Sequence, residues 1–481
     1  MREQTDTHGV RGSRRGFLKA AGTLAVGLTQ WRKSAAASSA TLPDGGDSPR
    51  EPLRIALFQA DVTPPLGSPL CEALVKPARR IVDPLSARGV ILLTGEKPIV
   101  LCAIDWTSIL NGGYRVWREV LAQAAGTTPD RVAVHTLHQH DAPSVDFDIE
   151  GLLAPRGLSG RTFDVAWARA AVARVGEVVS RSLDQPRRVT HLGLGQAKVD
   201  RVASNRRVLG PDGKVLYARM SACTDPAARA APEGTVDPDV KLISFWDGDV
   251  PLVSMTYYAT HPQSFYGRGA VSADFVGLAR ALREATVPEA AHVHFNGAGG
   301  NLAASKYNDG APSRRFELAG RLADGMARAW DSMKKQAIGA QDVGWRVLPV
   351  KFPIRRDLDE AKCLSVLDNP NEKLVERVVV ASELIWIRRC ARGDMLDLSR
   401  LRLGSADVLH MPGELFVEYQ LAAAAMRPDR FVCMAAYGDC TVQYVGTEIA
   451  YRQGGYETGR WSRVAPETEQ VLMAAMRTLL G

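Results

Sequence analysis

Beyond residue 52 the chain switches repeatedly between two spacings of apolar positions. Residues 54–60 form a short apolar run closed by the turn Asp61-Val-Thr-Pro-Pro-Leu-Gly67, which predicts a strand. Residues 89–94 and 98–105 are apolar runs around Gly95-Glu-Lys97, and residues 240–246 and 251–259 flank Asp247-Gly248. Both patterns predict buried hairpins. Residues 131–138, 191–199, 294–296 and 405–411 read as further strands. Helical spacing runs over 114–125, 163–183, 275–285, 316–334, 415–426 and 467–480, and residues 341–400 alternate strand-like with charged helical pieces. Interleaved strands and helices, with no repeat and no internal linker, predict an α/β fold. The expectation is one large domain, 52–481, of mixed β-sheet with interleaved helices.

The first 51 residues follow neither spacing. Arg14-Arg15 precede a short, weakly apolar stretch, and Ala35-Ala36-Ala37 and Ser38-Ser39-Ala40 offer small-residue cleavage sites. This predicts a twin-arginine signal peptide over 1–40 and a flexible linker over 41–51, hence a periplasmic or secreted protein. The apolar stretch is too short to span a bilayer, so no transmembrane anchor is expected once the signal is removed. The signal also holds seven Lys/Arg against two acidic residues, so most of the formal charge of +7 sits there. The nearly neutral body has no basic stripe with interleaved aromatics, which argues against nucleic acid as a partner. Seven cysteines without a Cys-x-x-Cys pair indicate neither a disulfide framework nor a cysteine zinc site. Buried free thiols are the simpler reading.

Chemistry gathers elsewhere. Three of the nine histidines, His135, His138 and His140, fall within six residues at the end of a predicted strand. In extended backbone, residues two apart share a side, so His138 and His140 are expected to face one pocket. Asp141, Asp146, Asp148 and Glu150 follow and are expected to favour a cation. His261, in Ala259-Thr-His261, also ends a predicted strand, where sites of α/β sheets are built. Asn296-Gly297-Ala-Gly299-Gly300-Asn301 is a Gly-rich loop whose N–H groups can approach a substrate carbonyl. Met411-Pro-Gly-Glu414 is expected to open a helix. Tyr444 and Tyr456 lie in a polar, Gly-rich segment. Alone, capping, turn formation or packing accounts for each of the later motifs.

In this order the motifs resemble the catalytic domain of the neutral/alkaline (non-lysosomal) ceramidases. The resemblance starts at Ala60-Asp-Val-Thr-Pro-Pro-Leu-Gly67 and continues through His138-Gln-His-Asp-Ala-Pro143 and Ser204-Asn-Arg206. It then runs through Ala259-Thr-His261, the 297–301 loop, Pro412-Gly-Glu414, Tyr444-Val-Gly-Thr447 and Tyr456-Glu457. It implies a zinc ion held by His138, His261, Glu414 and Tyr444. It also implies His140 beside the attacking water, Tyr456 as oxyanion donor, and Arg206 at the active site; His135 inherits no role. Two departures stand out. Gly299 occupies the place of a Ser to which the family assigns a part in catalysis, and the residues after Tyr456-Glu457, up to Gly481, are not expected to form the family's C-terminal sandwich domain.

The reading is therefore an exported zinc-dependent hydrolase of a linear amide in a small-molecule or lipid-like N-acyl substrate, with an activated water as nucleophile. Tyr456, or N–H groups of Gly297, Gly299 and Gly300 beside Asn301, is expected to stabilise the oxyanion. Two alternatives remain open: hydrolysis of an ester or N-acyl sugar bond, and a non-catalytic metal- or glycan-binding export protein.

Overall fold

Three mixed sheets of four or five strands, accompanied by five two-stranded ladders, organise the described residues, and each of the three contains the same strand–strand–helix–strand unit. The computed structural model describes residues 52–481; the predicted signal peptide and linker lie outside them. The first sheet comprises β1 (Leu53–Asp61), β2 (Ser86–Leu93), β3 (Ile99–Ile104), β4 (Val132–Thr136) and β5 (Arg187–Val189), ordered β4-β3-β2-β1-β5. Strands β2 and β3 form the predicted antiparallel hairpin, and α1 (Asn111–Ala125) crosses over to β4, which runs parallel to β3. Helix α2 (Val165–Ser182) begins where Asp164 accepts the Trp167 N–H at 3.0 Å. It buries Ala168, Ala171, Val172, Val175 and Val179, one face at helical spacing.

The second sheet has the order β9-β8-β7-β6-β10, with β6 (His191–Lys198), β7 (Asp239–Asp247), β8 (Val250–Tyr258), β9 (Ala291–Asn296) and β10 (Lys334–Ala337). Here α3 (Asp274–Thr286) links the hairpin β7-β8 to the parallel strand β9, and α4 (Arg314–Asp331) precedes β10. The third sheet contains β11 (Val343–Val350), β12 (Leu396–Leu403), β13 (Ala406–His410) and β14 (Phe431–Ala435), in that order. Its long helix α5 (Leu374–Arg392) precedes β12, and α6 (Val417–Met426) links β13 to its parallel neighbour β14. Helix α7 (Thr468–Leu480) ends the chain.

The units β2-β3-α1-β4, β7-β8-α3-β9 and β12-β13-α6-β14 are thus equivalent in order. No repeat was visible in the residues, because equivalent strands need only share a hydrophobic pattern. Strand β9 touches both β4 and β14, so the parallel pairs of all three sheets meet. One apolar cluster runs through them, from Leu101 and Ala133 by Met255 and Phe295 to Val408 and Cys433. Their C-terminal ends open into a common cleft, where crossover connections leave loops free to carry function.

The sequence reading is corrected at one point that matters. Glu414 does not open a helix. It lies in a two-residue strand, Glu414–Leu415, parallel to Tyr444–Val445, and α6 starts only at Val417. All seven cysteines are free. Among the described residues no helix is long and apolar enough to cross a membrane.

Candidate metal centre

The first sheet supplies two of the histidines. Strand β4 ends at Thr136, and Leu137 and His138 continue the ladder by donating to Ile104 O and Trp106 O at 2.9 Å each. His138 then turns into the left-handed region, with φ 64°. His138 and His140 do meet, with ring centroids 4.8 Å apart, but through this turn rather than through the extended alternation expected. The segment is further held by Gln139, whose amide donates to Asp105 Oδ1 at 3.1 Å. Asp105 is fixed in turn by two bonds from Arg280, at 3.0 and 2.7 Å. Burial opposes its charge, but Arg280 holds the Asp105 carboxyl below its usual range.

The second sheet supplies His261, three residues past β8. Its ring lies 4.6 Å from that of His138 and 5.1 Å from that of His140. The three imidazoles form one buried group whose ligand-capable nitrogens lie within 4.8 Å of one another. Each Nδ1 faces a backbone carbonyl: Thr107 O at 2.7 Å for His138, Pro262 O at 3.2 Å for His140, and Gly299 O at 3.2 Å for His261. A carbonyl only accepts, so each ring carries a proton on Nδ1, which leaves Nε2 as the atom that can face a metal. Burial, then the charge of His138, depresses His140 well below its ordinary value. Burial, then Arg206, does the same to His261. Both are neutral at pH 7, the form a metal requires.

The segment that follows β13 of the third sheet supplies the carboxylate. Glu414 Oε2 stands 3.1 Å from His138 Nε2 and 3.9 Å from His261 Nδ1. Among the described residues neither Glu414 Oε2 nor His261 Nε2 has a hydrogen-bond partner, although both are buried. A carboxylate oxygen facing an imidazole lone pair at 3.1 Å is unfavourable unless a proton or cation lies between them. Imidazole nitrogens gathered beside a carboxylate are donors that suit zinc.

Arg206, Tyr444 and Tyr456 form the adjoining wall. Arg206 is fully buried and donates to Glu457 at 3.1 Å and to Gly300 O. Its guanidinium carbon lies 5.2 Å from the Tyr444 ring centroid and 5.0 Å from that of Tyr456. The two hydroxyls are 3.3 Å apart, and the Tyr444 ring lies parallel to that of His261 at 6.5 Å. Burial raises both phenols, which therefore stay protonated as donors until a metal or base intervenes.

The Gly-rich loop is placed differently from expectation. The N–H of Gly297 donates to Tyr258 O and that of Gly300 to Leu415 O, each at 2.8 Å, so neither is left for an oxyanion. The glycines instead permit close approach. A Cβ on Gly299 would collide with Thr260 O, and one on Gly300 would meet Glu414 O. Asn301 ties the loop to the carboxylate strand: its Oδ1 accepts the Val417 N–H at 2.9 Å, at the start of α6. Three of the acidic residues expected to favour a cation are engaged elsewhere. Asp141 accepts the Gly269 N–H at 2.8 Å, Asp146 caps a helix by accepting the Asp148 N–H at 2.9 Å, and Glu150 accepts from Ser159 at 2.6 Å. His135 bonds Ala436 O at 2.8 Å and His410 at 3.0 Å, outside the histidine group.

A cavity of about 280 Å³ opens onto His138, His140, Glu414, Tyr444 and Tyr456. Its lining adds Glu72, which no motif pointed to. Cys71, Glu72 and Ala73 all have left-handed φ, at 45°, 55° and 64°, without a glycine or asparagine to announce the turn. Such strain persists where the surroundings fix it, commonly at functional sites. The Glu72 carboxylate accepts from Ser144 Oγ at 3.0 Å, and Ser144 is paired with Ser108. Leu74, Met220, Tyr266 and Trp461 also line the cavity, and the first three are well exposed.

Fold and site together define an α/β protein with a buried three-histidine, one-carboxylate cleft at the meeting of three sheets. No family model matches the chain, and no curated protein matches it in sequence. Among solved structures, the fold is similar to that of a ceramidase complexed with C2, with TM-score 0.65 and 17% identity, covering 89% of this chain and 75% of that one. It is equally similar to the neutral ceramidase of Pseudomonas aeruginosa, with TM-score 0.64 and 17% identity, covering 89% and 74%. The chain has the ceramidase fold.

Proposed function

We propose that the protein is an exported zinc-dependent hydrolase that cleaves a linear amide in an N-acyl, lipid-like substrate. The observation that carries this reading is the 3.1 Å approach of Glu414 Oε2 to His138 Nε2 beside the orphaned His261 Nε2. These groups and Tyr444 are the ligands. Zinc bound there supplies a water acidic enough to serve as nucleophile near neutral pH. His140, kept neutral by burial, accepts the proton of the attacking water through Nε2 and returns it to the leaving nitrogen. Tyr456 donates to the carbonyl oxygen as negative charge develops, a contribution typically of about 3–4 kcal/mol. Arg206 fixes both tyrosines through its ring contacts. The apolar mouth formed by Leu74, Met220, Tyr266 and Trp461 fits an acyl chain. The predicted twin-arginine segment would deliver the folded, loaded protein across the membrane.

Metal analysis of the purified protein beside His138→Ala, His261→Ala and Glu414→Ala tests the centre. Near-stoichiometric zinc in the parent and its loss in each variant are expected; full occupancy in all three would refute the assignment. Hydrolysis of N-acyl sphingosine compared with short N-acyl amines tests the substrate class. Zinc without turnover of any acyl substrate would favour a binding role.

A further inference from the structure

We propose that Tyr437 is a positioning residue of the metal centre, holding the His138 imidazole with its ring and donating its hydroxyl to the Glu414 carboxylate. This rests on the metal reading above and adds a residue that no motif singled out. Tyr437 directly follows β14 as Ala435-Ala436-Tyr437 and adopts φ 60°. A bulky aromatic residue in the left-handed region is an outlier that persists only when its surroundings fix it.

Both backbone groups of Tyr437 supply that constraint. Its N–H donates to Gly413 O at 2.9 Å, next to Glu414 in sequence. Its carbonyl accepts the Thr136 N–H at 3.0 Å, two residues before His138. One strained residue therefore pins the carboxylate-bearing segment that follows β13 of the third sheet to the histidine-bearing segment of the first. The ring stacks on His138, with centroids 4.6 Å apart and planes inclined by 28°.

Stacking alone would be served equally by phenylalanine. The hydroxyl is what requires an explanation. Tyr437 is 0% exposed, and its Oη has no hydrogen-bond partner among the described residues. A buried orphan hydroxyl points to a partner gained in the functional state. Its surroundings indicate which one. A Cβ built on Gly299 would lie 3.0 Å from Tyr437 Oη, so the hydroxyl sits over the loop whose carbonyl holds His261. Glu414 Oε2 is itself buried without a hydrogen bond and lies 3.1 Å from Nε2 of the His138 ring on which Tyr437 stacks. When His138 and Glu414 close on an ion, the hydroxyl holds the carboxylate in the orientation that presents an oxygen to it. Ligating carboxylates are commonly supported by such donors, whose removal costs about 10–100-fold in metal affinity.

The test is Tyr437→Phe, which keeps the stacked ring and both backbone bonds. Zinc affinity is measured by chelator competition, the absorption spectrum is recorded with cobalt in place of zinc, and thermal unfolding is followed for the metal-free protein. The expected result is zinc binding about 10–100-fold weaker, a shifted cobalt spectrum, and metal-free stability equal to or above the parent's. Unchanged zinc affinity and an unchanged cobalt spectrum would overturn the proposal while leaving the metal centre intact. The same comparison in a Glu414→Gln background is expected to show a smaller loss; an undiminished one would show that the hydroxyl acts elsewhere and overturn it too. A parent protein that binds no zinc would refute the metal reading itself, and the role of Tyr437 with it.

Discussion

Glu414 and Tyr444 are direct partners in a two-residue parallel ladder, so the carboxylate and the phenol enter the cleft from adjacent backbones. The ladder is continued by Glu414 N–H donating to Gln443 O at 2.8 Å and Phe416 N–H to Val445 O at 3.2 Å. Neither side chain is needed to form it. Glu414→Gln and Tyr444→Phe are therefore expected to leave the unfolding temperature of the metal-free protein unchanged while lowering zinc affinity. Chelator competition together with calorimetry checks this. A collapse of metal-free stability in either variant would show that the side chains build the fold rather than the site.

Glu72 faces the same cavity from a strained turn, with Ser144 holding one carboxylate oxygen. Among the described residues the other oxygen has no hydrogen bond, so from the cavity wall it can accept from a donor on the polar part of a substrate. A hydrogen bond to a charged group contributes about 1.5–3 kcal/mol, so Glu72→Gln is expected to lower kcat/KM by about tenfold or more. Zinc content should not change. Steady-state kinetics on an N-acyl amino alcohol decide it; kinetics equal to the parent's would remove Glu72 from substrate recognition.

Gly299 has no room for a side chain, since a Cβ there meets Thr260 O. Gly299→Ser is therefore expected to destabilise the protein by about 1–3 kcal/mol through overpacking rather than to install a working hydroxyl. Urea unfolding measures the first effect and turnover the second. A stable variant with raised activity would contradict the packing described.

His135 and His294 are buried as neutral rings. Burial lowers His135 to about 4, and burial with the charge of Arg280 lowers His294 to about 3. Unfolded, each titrates near 6.5, so the unfolded chain takes up protons first as pH falls. Their stabilising contribution is complete above pH 6.5 and shrinks towards pH 4 and 3 respectively. Between pH 7 and 5 the expected loss is about 2 kcal/mol per histidine. Urea unfolding at both pH values should show this fall, and His294→Asn should reduce it. An identical pH dependence in the variant would sink the assignment.

The residues themselves determined the alternation of strands and helices, both hairpins and the ordered motifs. These depend on local spacing, turn chemistry and residue identity, all of which are legible along one chain. The clustering of His138 and His140 at one strand end and the place of His261 at another mark them in the sequence, and the structure gathers all three. Tertiary structure alone decided how they meet. His138 turns by a left-handed residue that no glycine marks, and Glu414 pairs with Tyr444 across a ladder of only two residues, too short to leave a pattern. It also consigned Asp141, Asp146 and Glu150 to capping and loop bonds, used the glycine loop as a close-packed floor, and brought Glu72 and Tyr437 to the cleft. Each of these outcomes depends on contacts between segments distant in sequence, and such contacts are set by how the three sheets pack rather than by any local run of residues.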